Sequence, residues 1–263
     1  MTTKGDCMIE IDSELIKHMA EKGRRIDNRS FDSYREIIIE KNVITSAEGS
    51  ARVKIGNTEV VAGVKIDIGT PYADSPDEGV LTTSAELLLL ASPEFEPGPP
   101  GEQAIELARV VDRAIRESKS IDFKKLCITA NEKVWMVFLD IDVMDDDGNL
   151  IDAAAIAAIA ALQNAYIPDL NAEGKPIYDK KGSKKLHVSG SPISTTFVKI
   201  GSKIMADPNL AESKAADARL TVGSDHAKIC SLQKGGSMWL TLEEIEAILE
   251  LAEKKAAELR ARL

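Results

Sequence analysis

The sequence predicts an α+β fold made of two similar halves, in which strands come first and helices follow, so that a helix layer packs on mixed sheets. Three features of the chain indicate this fold class. Short runs rich in β-branched residues open each half. Amphipathic or alanine-rich helical patterns follow those runs. Between the halves lies a polar segment, residues 169–185, which contains five lysines and is typical of a boundary between structural units.

The first half opens with a short amphipathic helix at residues 13–22, which ends at Gly23. Its apolar side consists of Ile11, Leu15, Ile16 and Met19. Strands are predicted next at residues 35–44, 50–55 and 58–68. Because Gly56 and Asn57 favour a tight turn, the last two strands are expected to form a hairpin, and the first half starts antiparallel.

The rest of the first half contains a loop, a strand and two helices. Residues 92–101 include four prolines, so they are expected to form a surface loop. A helix is predicted at residues 102–119. Residues 134–144 alternate apolar and polar side chains in their second part, which indicates a half-buried strand. Residues 153–165 are alanine-rich and uncharged, which predicts a helix buried nearly all round, with Asp152 as its N-cap.

The second half repeats this order on a smaller scale. Its strands are predicted at residues 193–200, 202–205, 218–222 and 228–232. The last helix begins with a capping box from Thr241 to Glu244. The chain is therefore divided into an N-terminal helix, a first domain, a lysine-rich linker and a second domain, at residues 1–22, 23–168, 169–187 and 188–263.

Composition limits the classes of function. The chain has 263 residues, 44% of them hydrophobic, so it can bury a sizeable core. Its net charge of −10 argues against a protein whose whole surface binds nucleic acid, although a local basic stripe is compatible with it. The three cysteines and three histidines are scattered, so neither a metal site nor a cofactor is expected. The pattern of a signal peptide is missing and no apolar run reaches transmembrane length, so a cytoplasmic protein without a membrane partner is expected.

The segment at residues 145–152, Asp-Asp-Asp-Gly-Asn-Leu-Ile-Asp, joins the predicted strand to the buried helix. A strand, a glycine turn and a helix N-terminus often form an anion site, because free backbone N–H groups and the helix dipole favour negative charge. Here four carboxylates already occupy that place. Two interpretations are open: an anion site blocked by acid, or an ordinary β-turn in which Asp152 caps the helix. The residues alone favour the ordinary turn.

The predicted helix at residues 102–119 carries Arg109, Arg113 and Arg116 on one side. The opposite, apolar arc consists of Ala104, Ile105, Leu107, Ala108, Val111, Ala114 and Ile115. Like charges three and four residues apart weaken a helix unless acidic partners compensate them. One interpretation pairs Glu106 with Arg109 and Asp112 with Arg116. The other is a ladder of guanidinium groups that bind phosphates. Spacing alone favours solvated ion pairs.

Several segments resemble the ribonuclease PH family, in sequence and in their order along the chain. They are the turn at residues 23–29, the segments 47–53 and 56–62, the stretch 109–116, and the strand and helix around the acidic loop. The resemblance extends from about Gly23 to the C-terminus. Within the family it is strongest to the non-catalytic ring subunit of the archaeal exosome, on residues 217–222 and 229–236. It implies a ribonuclease-PH-like fold for the two halves.

Three departures from the family's catalytic pattern imply that this chain lacks phosphorolytic activity. Catalytic members bind the attacking phosphate on a loop of the type Gly-Gly-Thr-Arg, and residues 148–152 replace it without the hydroxyl or the arginine. Asp152 is expected to place a carboxylate where the phosphate would approach. The acidic residue of catalytic members has no counterpart within residues 188–193, and the family's phosphate-binding arginine falls at Gln103.

By contrast, Arg109, Arg113 and Arg116 match the family pattern, and the resemblance implies that they bind single-stranded RNA beside a neighbouring active site. It also implies a hexameric ring in which three copies of this chain alternate with three catalytic ribonuclease-PH-type subunits. RNA-binding cap subunits are expected on that ring, and no DNA partner is. The chain would complete the neighbour's active site in 3′-to-5′ RNA degradation.

Two alternatives stay open. The chain could be a self-sufficient phosphorolytic enzyme that uses an unrecognised acid such as Asp140, Asp142 or Asp207. It could instead be purely architectural, with exposed strands and apolar patches that only assemble a ring. The lysines between residues 175 and 185 are expected to lie on a mobile, solvated loop.

Overall fold

The structure is a computed structural model that describes residues 4–226 and 228–263, without the side chains of residues 4–12. The side chains of Cys7 and Ile11 therefore lie outside the described part of the chain. The first half contains α1 (Lys4–Glu21), β1 (Ile37–Lys41), β2 (Gly49–Ile55), β3 (Thr58–Gly69), β4 (Val80–Leu87), α2 (Glu102–Glu117), a 3₁₀ turn (Phe123–Leu126), β5 (Cys127–Thr129), β6 (Lys133–Asp145) and α3 (Leu150–Asn164). The remaining elements are β7 (Tyr166–Ile167), β8 (Asp169–Leu170), β9 (Pro176–Ile177), β10 (Lys184–Lys185), β11 (Ile193–Ile200), β12 (Lys203–Ala206), α4 (Leu210–Ala215), β13 (Ala218–Asp225), β14 (Lys228–Gly235) and α5 (Leu242–Arg260).

The larger sheet has the order β1-β2-β3-β6-β4, with β5 paired to the start of β6. All of its pairs are antiparallel except β4 and β6. The predicted hairpin at Gly56 is confirmed, since β2 and β3 pair from Ile55 and Thr58 onward. The predicted alternation in β6 is also confirmed: Val137, Leu139 and other apolar residues are buried, while the polar residues between them reach solvent. β4 was not predicted, because its polar stretch of threonine and serine hides the alternation of a strand.

Helix α3 lies against β2 and β3 at the centre of the molecule. It is buried nearly all round, as predicted, from Ile151 to Leu162. Its packing is close: a Cβ on Gly49 would lie 2.4 Å from the carbonyl oxygen of Ala161, so β2 can approach the helix here only as glycine. The prediction of Asp152 as the N-cap is wrong. Asn149 is the N-cap, in the left-handed conformation, and Asp152 lies inside the first turn.

The second half is a four-stranded antiparallel sheet in the order β12-β11-β13-β14. Helix α5 packs on β11 and β13, and its predicted capping box is confirmed by reciprocal hydrogen bonds between Thr241 and Glu244. Helix α1 packs on α4, and Ile16 and Ala20 join the apolar cluster of Val198 and Met205. The N-terminal helix thus stabilises the second half of the chain rather than the first.

The polar segment between the halves is folded. β8 and β9 form a small hairpin, and β10 pairs with β7 directly after α3. Pairing of backbone groups removes much of the freedom expected of a solvated loop. The expected solvent exposure of the five lysines is confirmed, but Lys184 and Lys185 lie on β10 and not on a loop.

Candidate functional site

The acidic loop at residues 145–152 is held rigidly. The Asp146 carboxylate accepts a hydrogen bond from the N–H of Gly148 at 2.9 Å. Thr58 donates its hydroxyl to the Gly148 carbonyl at 2.7 Å and accepts the N–H of Asp147 at 3.1 Å. Arg35 donates to the Asp147 carbonyl at 2.6 Å and to the Gly148 carbonyl at 3.1 Å. The backbone groups that a turn would offer to a ligand are therefore largely occupied within the protein.

Asp207 connects this loop to the second half. Its buried carboxylate accepts hydrogen bonds from Arg29 at 2.8 Å, from the Arg35 guanidinium at 2.8 and 2.9 Å, and from the Asn149 amide at 2.7 Å. Burial alone would raise the pKa of Asp207, but the hydrogen bonds and charge of Arg35, together with Asn149, outweigh it and hold that pKa below its usual value. A carboxylate that stays ionised between two arginines cannot serve as a proton donor near neutral pH.

Asp152 is fully buried at the junction of α3 and β11. Its carboxylate accepts four hydrogen bonds, from the Tyr34 hydroxyl at 2.8 Å, the Asn149 amide at 2.9 Å, and the N–H and hydroxyl of Thr196 at 2.9 and 2.7 Å. The prediction that this carboxylate faces an approaching phosphate is therefore wrong. Its negative charge lies inside the protein and connects the two halves.

Burial raises the pKa of Asp152 to about 6, although the hydrogen bonds from Thr196, Asn149 and Tyr34 act in the opposite direction. The folded state therefore binds this proton more tightly than the unfolded state. The associated stabilisation is complete below the unfolded pKa near 4 and is lost as the pH rises through about 6. A difference of about two pH units corresponds to roughly 3 kcal/mol.

We expect Asp152→Asn to remove this pH dependence. The free energy of unfolding of the variant, relative to wild type, should increase by about 2 to 3 kcal/mol between pH 4 and pH 6.5, because Asn does not have to lose a proton in the buried site. Urea denaturation at a series of pH values measures this difference. A constant offset between the two proteins across that range would show that Asp152 does not titrate with folding.

The N-terminus of α3 opens toward a cavity of about 360 Å³, lined by Asn149, Ile151 and Arg219 among others. Glu106 from α2 accepts hydrogen bonds here from Arg219 at 2.5 Å and from Gln233 at 2.9 Å. Burial acts to raise the pKa of Glu106, but Arg219 and Gln233 outweigh it and lower that pKa. The Arg219 charge is compensated by this carboxylate, and Ile151 adds an apolar side chain to the lining. The cavity is therefore poorly suited to a phosphate dianion.

The stretch at residues 188–193 has a carboxylate beside it, although none lies within it. The Ser191 N–H donates to Asp225 of β13 at 3.0 Å, and a Cβ on Gly190 would lie 2.4 Å from the same carboxylate. Sequence reasoning missed Asp225, since it lies more than thirty residues further along the chain. The contact fixes the backbone of the stretch.

The other acids considered lie elsewhere. Asp140 and Asp142 alternate with the buried residues of β6, so they project from the sheet face opposite to α3. Burial, together with the charges of Glu86 and Asp140, raises the pKa of Asp142. Neither residue lines the cavity at the N-terminus of α3.

The arginine stripe, Arg109, Arg113 and Arg116, lies on the outer side of α2. Arg109 and Arg116 are exposed and Arg113 is half-buried. Arg116 pairs with Asp112 at 2.8 and 3.1 Å and also donates to the Leu81 carbonyl at 3.1 Å. The predicted pair of Asp112 and Arg116 is therefore confirmed.

The predicted pair of Glu106 with Arg109 is wrong, because Glu106 turns toward Arg219. Within the described part of the chain, neither Arg109 nor Arg113 makes an ion pair. Arg113 comes only within 3.5 Å of the Gln233 amide oxygen. Ile105, expected on the apolar arc, is 48% exposed on the same helix. Two of the three arginines therefore keep an uncompensated charge at the surface.

An open groove of about 430 Å³ runs along this stripe. Its lining includes the three arginines, Thr82, Thr83 and Tyr72, together with the carboxylates of Asp112 and Glu117. The side chain of Tyr72 is 61% exposed. It was not among the site residues predicted from the sequence. The one signal in the sequence was the position of an aromatic residue just after a predicted strand. A groove with guanidinium groups and an accessible ring suits phosphates and unpaired bases, which bind by charge and by stacking.

Among the residues that the structure describes, no group of three or more His, Cys, Asp or Glu could hold a metal ion. In that same part of the chain, none of the helices combines the length and apolar character needed to cross a membrane.

Two family models match the chain. Residues 33–168 match domain 1 of the 3′ exoribonuclease family, the ribonuclease PH type, and residues 190–255 match its domain 2. The chain belongs to the 3′ exoribonuclease family. Its first-half sheet and α3 correspond to the family's domain 1, and the sheet of β11 to β14 corresponds to its domain 2.

Members of the 3′ exoribonuclease family from archaea resemble the chain over nearly its whole length. Exosome complex component Rrp42 of Methanosarcina acetivorans is 47% identical over 99% of this chain and 96% of its own length. The protein of the same name from Methanocella arvoryzae is 49% identical over 98% of this chain and 97% of its own. Relatives of such length and identity share the fold and the order of its elements.

Solved structures agree with this assignment. A chain in a structure described as the Archaeoglobus fulgidus exosome with RNA bound to the active site superposes with a TM-score of 0.91 at 45% identity, covering 98% of this chain and 99% of that one. A chain of an archaeal exosome core superposes with a TM-score of 0.87 at 41% identity, covering 98% of each. The predicted ribonuclease-PH-like fold is confirmed.

Proposed function

We propose that this chain is a non-catalytic, RNA-binding subunit of an archaeal exosome ring, in which it alternates with a catalytic ribonuclease-PH-type subunit, three copies of each. The observation that carries the proposal is the likeness, over nearly the full length, to relatives named exosome complex component Rrp42 and to chains of archaeal exosome structures. Such a ring degrades RNA from its 3′ end by phosphorolysis in the cytoplasm, and RNA-binding cap subunits deliver the substrate.

The geometry at the N-terminus of α3 supports the absence of phosphorolysis in this chain. Arg35 is bound to the Asp147 and Gly148 carbonyls and to Asp207, so its charge is not available to a phosphate. The Arg219 charge is compensated by Glu106. Asp152 is buried, and its carboxylate accepts four hydrogen bonds from neutral groups within the protein. The charges here compensate one another, which stabilises the fold and leaves little attraction for an anion.

The groove along α2 supports a role in RNA binding. Arg109 and Arg113 project from a rigid helix, carry no ion pair among the described residues, and lie beside the exposed ring of Tyr72. In the ring, this groove would hold the RNA backbone close to the active site of the neighbouring subunit. The contacts are to phosphates and are therefore independent of base sequence and sensitive to salt.

The alternative of a self-sufficient enzyme is not favoured. Asp207 is ionised between arginines, while Asp140 and Asp142 lie on the other face of the sheet from the α3 N-terminus. None of the three is placed to donate a proton to a ribose oxygen of an RNA in the groove along α2. Catalysis is therefore assigned to the neighbouring subunit.

We expect the purified chain alone to release no ADP from poly(A) in the presence of inorganic phosphate. The reconstituted ring with its catalytic partner should release ADP, and the same ring without phosphate should not. Chromatographic quantification of ADP measures all three reactions. Phosphate-dependent ADP release by the isolated chain, in fractions where its mass alone is detected, would overturn the non-catalytic assignment.

A further inference from the structure

We propose that the folded linker around Tyr166, Tyr178, Lys181, Lys184 and Lys185 is a second contact site for single-stranded RNA, next to the groove of the arginine stripe. The choice of RNA as the ligand rests on the proposed function. The site itself rests on an aromatic pocket, on uncompensated lysines, and on the position of both in the sheet.

The linker forms an ordered platform. The β8–β9 hairpin brings Asp169 opposite Ile177, and the Asp169 carboxylate accepts the hydroxyl of Ser183 at 2.5 Å and its N–H at 3.1 Å. β10 adds a second pairing, with Lys184 opposite Ile167 and Lys185 opposite Tyr166. The backbones of Lys184 and Lys185 are thereby fixed, which lowers the conformational-entropy cost of binding a ligand.

A pocket of about 250 Å³ lies between this platform and the turn before β2. Tyr166, Tyr178, Lys180 and Lys181 are among the residues that line it. Tyr178 is 51% exposed, and its hydroxyl is anchored 3.4 Å from the Ile66 carbonyl oxygen, so the ring is accessible and held in place. The Lys181 ammonium lies 4.1 Å from the centre of the Tyr166 ring. The pocket thus combines the accessible ring of Tyr178, which could stack on a base, with the Lys181 cation on the neighbouring half-buried Tyr166, which could bind a phosphate.

Charge divides the lysines of this region into two groups. Lys175 pairs with Glu173 at 3.2 Å, Lys180 with Asp169 at 3.4 Å, and Lys65 with Glu48 at 2.8 Å, and these three are compensated. Lys181, Lys184 and Lys185 are exposed and have no carboxylate within 4 Å among the described residues. Asp67 and Glu48 lie near the Tyr178 hydroxyl. Phosphates are therefore expected on the side of Lys181 to Lys185, where the charge is positive.

The register of the larger sheet places the linker pocket close to the arginine groove. Ile66 on β3 is opposite Val137 on β6, and Val137 is opposite Leu81 on β4, so the three form one row across the sheet. Adjacent strands lie about 4.8 Å apart, which separates the Cα atoms of Ile66 and Leu81 by roughly 10 Å. Tyr178 bonds the Ile66 carbonyl at one end of this row, and Arg116 bonds the Leu81 carbonyl at the other. The two side chains approach from opposite ends of this row, so an RNA strand that reaches both sites has to span more than the separation of the two Cα atoms.

The test compares variants in the reconstituted ring, with binding of fluorescent oligoadenylate measured by anisotropy at several salt concentrations. The linker variant is K181A/K184A/K185A, and its matched control is K22A/K234A/K254A, which removes three exposed lysines outside the linker. Each lost phosphate contact lowers the salt slope for a single strand by about 0.7, so the linker variant should lose up to about 2 relative to the control.

Tyr178→Ala should weaken binding about fivefold or more, and Tyr178→Phe should restore most of it.

The result separates the linker site from the proposed function. A linker variant that binds like its control, while R109A/R113A/R116A binds weakly, would overturn the linker site and leave the proposed function in place. If the arginine variant also bound normally, the RNA-binding function itself would fail. Loss of binding in the linker variant for long oligonucleotides, with short ones unaffected, is the outcome expected for a second site along one path.

Discussion

Glu212→Gln is expected to lower the free energy of unfolding by about 3 to 5 kcal/mol, because it removes one charge of a fully buried pair. Arg25 donates from Nε to one Glu212 oxygen at 2.8 Å and from Nη2 to the other at 2.5 Å. Both residues are 1% exposed. The Arg25 guanidinium also donates to the carbonyls of Ala206 and Asp207 at 2.9 and 2.8 Å, so it cannot leave the site when its partner becomes neutral.

The matched control is Glu258→Gln, which alters a surface pair of Glu258 and Lys255 in which the glutamate side chain is 59% exposed. Exposed pairs contribute at most about 1 kcal/mol. Urea denaturation followed by tryptophan fluorescence measures both variants, since Trp135 is buried in the folded protein and becomes exposed on unfolding. If Glu212→Gln were no more destabilising than the control, the buried pair would not support the fold. Replacing both partners by apolar residues should recover part of the loss, since the unpaired charge is the main cost.

The second large effect is expected at the arginine stripe. In the reconstituted ring, R109A/R113A/R116A should weaken the binding of single-stranded RNA at least tenfold at low salt and lower the salt slope by about 1.4 to 2, since each phosphate contact contributes about 0.7. Of the single variants, R109A should weaken binding more than R116A, because Asp112 already compensates the Arg116 charge.

The matched control for the stripe is R24A/R52A/R262A, which removes three arginines that are exposed or half-buried away from the groove. Binding anisotropy across a salt series, with phosphorolysis rates of the same rings, measures the effect. Equal salt slopes for the stripe variant and its control would show that the three arginines do not bind RNA phosphates. The role of this subunit in the ring would then be architectural.

Local features of the chain could be predicted from its sequence. Hairpins, capping boxes and amphipathic patterns depend on residues within a few positions of each other, and the hairpin at Gly56 and the box at Thr241 were found for this reason. The exposed positions of Arg109 and Arg116 followed from helical periodicity alone. The resemblance to a family supplied the rest of the fold.

The partners of the charged residues could not be predicted. Arg25 and Glu212 are separated by 187 positions, and Asp152 and Thr196 by 44. Glu106 was expected to pair along its own helix, but Arg219 of β13 donates to it at 2.5 Å. Asp152 was predicted at the helix end, facing a ligand. The helix in fact begins earlier than the pattern indicated, because Gly148 and Asn149 adopt positive φ and make the turn there, so Asp152 lies inside the first turn. Long-range pairing decides which charges remain available at a surface.

The hydrogen bonds around Asp207 have a consequence for local unfolding. Arg29 and Arg35 from the N-terminal segment, and Asn149 from the start of α3, all end on this one carboxylate of the second half. The loop before α3 therefore cannot open by itself, as surface loops commonly do, without separating the two halves of the protein. We therefore expect it to belong to the cooperative unit of the interior and to open at a free energy close to that of global unfolding. The loop before α3 is thus part of the structural framework that joins the two halves.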